Sequence, residues 1–236
     1  MNTQNADEQE MTYGTEEILL GLCDSVSKVL ATATQSQIRY SGMVQRIYKT
    51  CLKPDIGCFV LFDGGFSGLV VINFSALAAM ELYEHYMLNM GMSKSGLATS
   101  HTSDEVSNVM GELMNQIVGD FTSKVARDFQ THITQNQPKM LALNKQVMLS
   151  VDTNLDQPEA RRVTFFTGQG NIFYLELAVD RTEFIRLRDT PLPEAEVSPD
   201  DVFEQAGQAS ANAAQNPGSG GGGDSEQEDL LKSLGM

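Results

Sequence analysis

The chain has little positive charge for its length. Its 236 residues include 16 Lys and Arg against 31 Asp and Glu, which gives a formal net charge of −15. Ten of the acidic residues but only one Lys lie between Asp189 and the last residue, so most of the net negative charge is in this final segment. Because nucleic acids are bound through contacts of Lys and Arg with phosphate, the composition argues against a nucleic-acid partner.

Cysteines and long apolar runs are also scarce. The three cysteines, Cys23, Cys51 and Cys58, form no Cys-x-x-Cys or Cys/His cluster, which favours free thiols in a reducing cytosol over a disulfide or a zinc site. No apolar run is long enough to span a bilayer, and the polar, acidic residues 1–10 do not have the pattern of a signal peptide. The sequence therefore predicts a cytoplasmic protein that does not insert into a membrane.

The motifs of small-molecule and redox enzymes are missing from the sequence. We find no Gly-rich phosphate-binding loop, no Ser/His/Asp triad order and no cluster of metal ligands. His85, His101 and His132 are scattered, and the glycines around Gly64 indicate a turn. The sequence therefore predicts no cofactor and no metal of the chain's own.

The hydrophobic periodicity predicts alternating groups of helices and strands. The predicted helices span residues 15–33, 76–90 and 104–129, and the predicted strands span 38–50, 57–62, 66–74, 140–151, 162–167 and 171–188. Thr15, Ser75 and Ser103 are the predicted N-caps of the three helices. This order predicts an α/β or α+β domain with a mostly antiparallel sheet and the long helices on one face.

The composition divides the chain into four segments. We predict a flexible N-terminal lead at 1–14, a folded domain at 15–189, an acidic, Pro/Gly-rich disordered linker at 190–223 and an amphipathic tail at 224–236. Four of the seven prolines lie between residues 190 and 223, and residues 217–223 read Pro-Gly-Ser-Gly-Gly-Gly-Gly. Such a composition is typical of a flexible linker.

The third predicted helix has an unusual polar face. Its apolar stripe consists of Val106, Met110, Leu113, Met114, Ile117, Phe121 and Val125, and the opposite side consists of Glu105, Asn108, Glu112, Asn115 and Gly119. An ordinary solvated face carries Lys and Arg pairs, but this face has no cation before Lys124. Asn is a weak helix former, so its repetition in mid-helix favours a functional surface over a merely solvated one.

Residues 111–119 of this helix, Gly-Glu-Leu-Met-Asn-Gln-Ile-Val-Gly, resemble the signature of the CheC, CheX and FliY chemotaxis phosphatases. That signature is Glu-x-x-Asn with a small residue, usually Gly, four positions after the Asn. Pro138 also lies at the family's spacing from Asn115, and the order of elements over residues 15–188 is similar. The resemblance implies a CheC/CheX-like fold and a hydrolase that removes the aspartyl phosphate from a CheY-like response regulator in two-component signalling.

The resemblance also implies a role for each residue of the polar face. Asn115 would orient the attacking water, since a carboxamide both donates and accepts hydrogen bonds. Glu112 would pair with the active-site lysine of the receiver domain and seat it on the helix. Glu105, Asn108 and Gly119 would contact the same partner. Any Mg²⁺ would be supplied by the phosphorylated receiver, and the sequence leaves a homodimer open.

Two alternatives remain at this level. Glu105 and Asn108 form a second Glu-x-x-Asn pair one heptad before Glu112 and Asn115, and the later pair is favoured because only it has Gly119 and Pro138 at the right distances. The polar face could also belong to a non-catalytic module of the same fold, either one that binds a receiver or one that resembles a flagellar-switch protein.

The last residues form a separate candidate for binding. Residues 224–236 are acidic at first and then place Leu230, Leu231 and Leu234 together at helical spacing. A frayed, disordered end is one interpretation. However, the segment resembles the C-terminal peptide of CheZ, an unrelated helical phosphatase that captures CheY with such a tail. That resemblance favours a segment that docks as a helix in a groove of the receiver.

Overall fold

The computed structural model describes residues 12–143, 145–151, 153–155, 157–181 and 183–185. The predictions for residues 1–11 of the N-terminal lead, for the linker and for the tail with Leu230, Leu231 and Leu234 lie outside these described residues.

Three α-helices account for the apolar stripes found in the sequence. They are α1 (Thr15–Thr34), α2 (Ala76–Asn89) and α3 (Asp104–Asp128). The predicted caps of α2 and α3 are confirmed, because the hydroxyls of Ser75 and Ser103 accept hydrogen bonds from backbone N–H groups at 3.2 and 3.3 Å. None of the helices in the described part of the chain combines the length and apolarity needed to cross a membrane.

The start of α1 differs from the prediction by one residue. Gly14, and not Thr15, is the N-cap, and Thr15 is the first helical residue. The backbone N–H of Gly14 donates to Glu17 Oε2 at 2.8 Å, so a glutamate in the first turn satisfies a donor at the helix start. Glycine tolerates the N-cap position well, but it has no side chain that could accept a hydrogen bond from the first turn, as the predicted threonine cap would. The glutamate satisfies a different donor, the N–H of the N-cap residue itself.

The strands are more numerous than predicted. They are β1 (Thr12–Tyr13), β2 (Arg39–Ile47), β3 (Thr50–Leu52), β4 (Ile56–Gly64), β5 (Gly68–Phe74), β6 (Ile133–Gln135), β7 (Lys139–Ala142), β8 (Leu149–Val151), β9 (Pro158–Phe166), β10 (Ile172–Asp180) and β11 (Phe184–Ile185). Seven of them form the main sheet in the order β2-β9-β10-β5-β4-β6, with β7 also paired to β4. Every pairing in this sheet is antiparallel.

The predicted strand at 140–151 is wrong as a single element. Its first part is β7 of the main sheet, whereas its last part, β8, pairs with β3 in a separate two-stranded sheet. The predicted strand at 38–50 is likewise divided between β2 and β3. In both cases the partner of each short strand is remote in sequence, so the hydrophobic pattern alone does not show where one strand ends.

All three helices pack on one face of the main sheet. Val70 and Ile72 of β5 belong to the large core cluster that includes residues of α1, α2 and α3. Leu69 and Val71 alternate with them, so they point to the opposite face, where a smaller cluster forms with Leu52 of β3. The predicted α+β fold, with a mostly antiparallel sheet and long helices on one face, is confirmed.

Two glycines allow the chain that returns from α3 to lie against β4. A side chain at Gly64 would collide with the carbonyl oxygen of His132, and one at Gly65 would collide with the hydroxyl of Thr131. Gly65 N–H also donates to His132 O at 3.0 Å. These glycines therefore serve a close backbone approach as well as a turn, and this approach places β6 at the edge of the sheet beside α3.

Candidate functional site

The exposed face of α3 carries the polar residues that the sequence singled out. All seven residues of the predicted apolar stripe are buried, whereas Glu105, Asn108, Glu112 and Asn115 are exposed. The amphipathic assignment is therefore confirmed. Glu112 and Asn115 are three residues apart on the helix, so their side chains are neighbours on this face.

Glu112 is held by a residue of its own helix. Its Oε1 accepts a hydrogen bond from Gln116 Nε2 at 2.9 Å, across one helical turn. An ionised carboxylate has about four lone-pair sites, so this contact leaves room for an incoming cation. Gln116 thus restrains the carboxylate without neutralising it.

Asn115 is held by a residue from the sheet. Its Oδ1 accepts a hydrogen bond from Gln135 Nε2 at 3.0 Å. Gln135 is the last residue of β6 and was not recognised from the sequence. The available signal was its position three residues before Pro138, which lies in the break between β6 and β7.

The earlier Glu-x-x-Asn pair has no comparable support. Within the described residues, neither Glu105 nor Asn108 makes a side-chain hydrogen bond or an ion pair. Both side chains of the later pair are held, one by Gln116 and one by Gln135. This difference favours the later pair for any chemistry that needs fixed groups.

Gly119 leaves an open position one turn after Asn115. A Cβ added there would meet nothing within 4 Å, so packing within the described chain does not require a glycine. Gly111, earlier on α3, differs because its Cβ would lie 3.7 Å from Met140 Cγ of β7. Glycine in a helix interior costs about 1 kcal/mol relative to alanine, and at Gly119 no contact in the described structure accounts for this cost.

Two lysines beside this face join α3 to α1 through Asp120 and Ser25. Lys28 Nζ and Lys124 Nζ lie 2.7 and 2.8 Å from the two carboxylate oxygens of Asp120. Burial by itself would raise the pKa of Asp120, but the hydrogen bonds from Lys124 and Lys28 outweigh it and hold the pKa well below its usual range. Lys28, Gln116 and Asp120 line a shallow cleft of about 270 Å³ between the two helices. The ion pairs therefore fix α3 on α1 and leave Glu112 and Asn115 outside the network.

The described residues offer neither a reactive thiol nor a metal site in addition to this face. Cys23 and Cys58 are buried and all three cysteines are free, and burial raises the pKa of the Cys23 thiol to about 12. The described residues contain no group of three or more His, Cys, Asp or Glu that could hold a metal ion.

Comparison with known proteins identifies the fold and the family. Residues 9–236 match the family described as "Protein of unknown function (DUF3334)", and no curated protein sequence matches the chain. The structure is similar to the CheX chemotaxis protein of Desulfovibrio desulfuricans, with 17% identity and a TM-score of 0.56 over 70% of this chain and 99% of that one. CheX of Vibrio vulnificus gives 14% identity and a TM-score of 0.57, also over 70% of this chain and 99% of that one.

FliY of Thermotoga maritima is similar too, with 16% identity and a TM-score of 0.52 over 70% of this chain and 87% of that one. At such low sequence identity the similarity shows a shared fold and no more. The resemblance to the CheC, CheX and FliY proteins that the sequence indicated is therefore confirmed for the fold. The chain belongs to the DUF3334 family, and the part of it that the structure describes has the fold of the CheC, CheX and FliY proteins.

Proposed function

We propose that this protein binds a phosphorylated CheY-like receiver domain and hydrolyses its aspartyl phosphate. The observation that carries the proposal is the exposed pair Glu112 and Asn115 on α3, with each side chain held by a glutamine. The CheX-like fold supports it, because the pair lies on a helix of that fold and matches the Glu-x-x-Asn signature.

In the proposed reaction this chain positions a water molecule and forms no covalent bond with the substrate. A water oxygen attacks phosphorus in line with the aspartyl oxygen, the P–O bond to that oxygen breaks, and the products are inorganic phosphate and the receiver's free carboxylate. The proton of the water passes to phosphate or to solvent. Asn115 would place the water, since positioning alone can supply a large part of the acceleration in phosphoryl transfer. The receiver's own Mg²⁺ would neutralise the phosphate charge.

Glu112 would seat the receiver on the helix. Its carboxylate is exposed and held by Gln116, so it can accept a charge-assisted hydrogen bond from a lysine of the partner. Glu105 and Asn108 would extend the contact along the same face. Gly119 would let the receiver approach the helix backbone closely, because no side chain stands there.

The tail would supply capture and not chemistry. Leu230, Leu231 and Leu234 are outside the described residues, so their role rests on the sequence pattern. If residues 190–223 form the flexible linker that their composition predicts, these 34 residues would span roughly 30 Å root-mean-square. A tail that holds the receiver at that distance raises its effective concentration at α3.

The test is the rate at which a phosphorylated CheY-like receiver loses phosphate with and without the protein. Asn115→Ala should lower the acceleration by on the order of 100-fold and leave binding of the phosphorylated receiver intact. Asn108→Ala is the matched comparison, since it removes the same side chain one heptad earlier on the same exposed face. As a contact residue it should raise the receiver concentration for half-maximal rate and leave the saturated rate unchanged.

Full activity of Asn115→Ala would contradict the water-orienting role. Binding of the phosphorylated receiver by the wild-type protein without any acceleration would identify a non-catalytic interaction module of the same fold.

A further inference from the structure

The Gln135 side chain lies on the helix face of the sheet. Gln135 pairs with Phe62 of β4 in the antiparallel register, and directly paired residues point to the same face. Phe62 is only 2% exposed and belongs to the core cluster that includes α3. The backbone is held as well, because the N–H of the next residue, Asn136, donates to Leu61 O at 3.0 Å. Gln135 therefore projects from a fixed strand towards the helix.

The hydrogen bonds of Gln135 are directed to a single partner. Its Nε2 donates to Asn115 Oδ1 at 3.0 Å, while its Oε1 is buried and accepts from no group of the described residues. A buried acceptor without a partner costs stability, and an apolar side chain of similar size would avoid that cost. Packing at the edge of the sheet therefore does not explain why the residue is a glutamine, whereas its contact with Asn115 does.

The contact restricts Asn115 in a way that α3 cannot. An exposed asparagine on a helix exchanges between rotamers, and Gln116, one residue on, bonds to Glu112 instead. The hydrogen bond from Gln135 fixes the plane of the Asn115 carboxamide. It uses one acceptor site of Oδ1 and leaves the Nδ2 donors and the second Oδ1 site for a water.

We propose that Gln135 is a positioning residue, which holds the Asn115 carboxamide in the orientation that places the attacking water. This inference rests on the proposed phosphatase function. Ordering one side chain in advance should be worth about 3- to 10-fold in rate. The effect should fall on the rate at saturating receiver, because Gln135 acts through Asn115 and not through the affinity for the partner.

Gln135→Met tests the proposal, since methionine has a similar size but does not donate a hydrogen bond to Asn115. The variant should lower kcat by about 3- to 10-fold with KM for the phosphorylated receiver unchanged. Gln137→Met is the matched control, because Gln137 is an exposed glutamine two residues further on, and it should leave both constants unchanged. Equal melting temperatures would show that both variants are folded.

A double-mutant cycle separates positioning from a structural role. In the Asn115→Ala background, Gln135→Met should have no further effect on the residual rate. The same fold-loss in both backgrounds would overturn the proposal, as would a rise in KM with kcat unchanged.

A measurement without the receiver separates this inference from the proposed function. In NMR relaxation of the free protein, the Asn115 side-chain amide should be ordered in the wild type and should become flexible, with an order parameter below about 0.6, in Gln135→Met. An unchanged Asn115 signal in the variant would overturn the positioning role by itself. Absence of phosphatase activity in the wild type would instead overturn the proposed function.

Discussion

Replacing Gly119 with alanine should move stability and activity in opposite directions. Gly119 lies within the 25-residue helix α3, and an added Cβ would meet nothing within 4 Å. The variant therefore keeps every contact of the free protein and gains helix propensity of about 1 kcal/mol. For a protein of this size that gain should raise the melting temperature by about 2–4 °C.

The same methyl group should weaken the reaction with the receiver. If the partner packs closely over Gly119, the extra carbon overfills that contact at a cost of about 1–3 kcal/mol. This cost corresponds to a loss of about 5- to 150-fold in kcat/KM for the phosphorylated receiver. The assay is a titration of phosphorylated receiver at a fixed low concentration of each variant, together with a thermal unfolding curve.

Gly21→Ala provides the matched control for this experiment. Gly21 also lies inside a long helix, α1, and an added Cβ there would likewise meet nothing within 4 Å. Its melting temperature should rise by the same amount while its activity stays unchanged. If Gly119→Ala becomes more stable and keeps full activity, Gly119 is not a contact point for the partner. If Gly119→Ala becomes less stable, the space above the helix is not open.

Two further predictions concern the register of the site and the tail. Glu112→Ala should lower phosphatase activity much more than Glu105→Ala, because only Glu112 precedes an asparagine that is fixed by a hydrogen bond. Equal losses in the phosphatase assay would move the site one heptad towards the start of α3. Truncation after Gly223 should raise the receiver concentration for half-maximal rate by about tenfold or more, with little change in the saturated rate. Leu231→Ala or Leu234→Ala should have the same effect. Superimposable titration curves of intact and truncated protein would exclude a role of the tail in capturing the receiver.

The features that the sequence predicted correctly depend on local patterns. The buried stripe and the polar face of α3 follow from a period of 3.6 residues, and Ser75 and Ser103 cap their helices through hydrogen bonds that span three residues. The main strands β4, β5 and β10 are rich in apolar residues and are also found. For the helices and their caps, the interactions that decide the structure lie within a few residues of chain, whereas these strands are recognised by their apolar composition and not by their distant partners.

The features that were missed depend on pairing between distant segments. Cys51 of β3 faces Ser150 of β8 across about a hundred residues of sequence, so a run that looked like one strand at 140–151 is two strands in different sheets. Gly64 and Gly65 were interpreted as turn residues, but they also let the backbone at Thr131 and His132 come close. Neither arrangement has a local signature that a single sequence could show.

The candidate site depends both on a local helical pattern and on a contact between distant segments. The sequence therefore revealed the helical residues but not the strand residue that contacts them. The helix supplies Glu112 and Asn115 on one face, and Gln116, within the same turn, restrains the glutamate. The asparagine is restrained from outside the helix, by Gln135 on an edge strand whose close approach to β4 requires Gly64 and Gly65. An isolated α3 would therefore present the same Glu-x-x-Asn residues with an unrestrained carboxamide. In the proposed reaction this chain only places a water molecule, so the orientation of the carboxamide matters for the rate. The restraint on that carboxamide comes from the fold and not from the Glu-x-x-Asn motif.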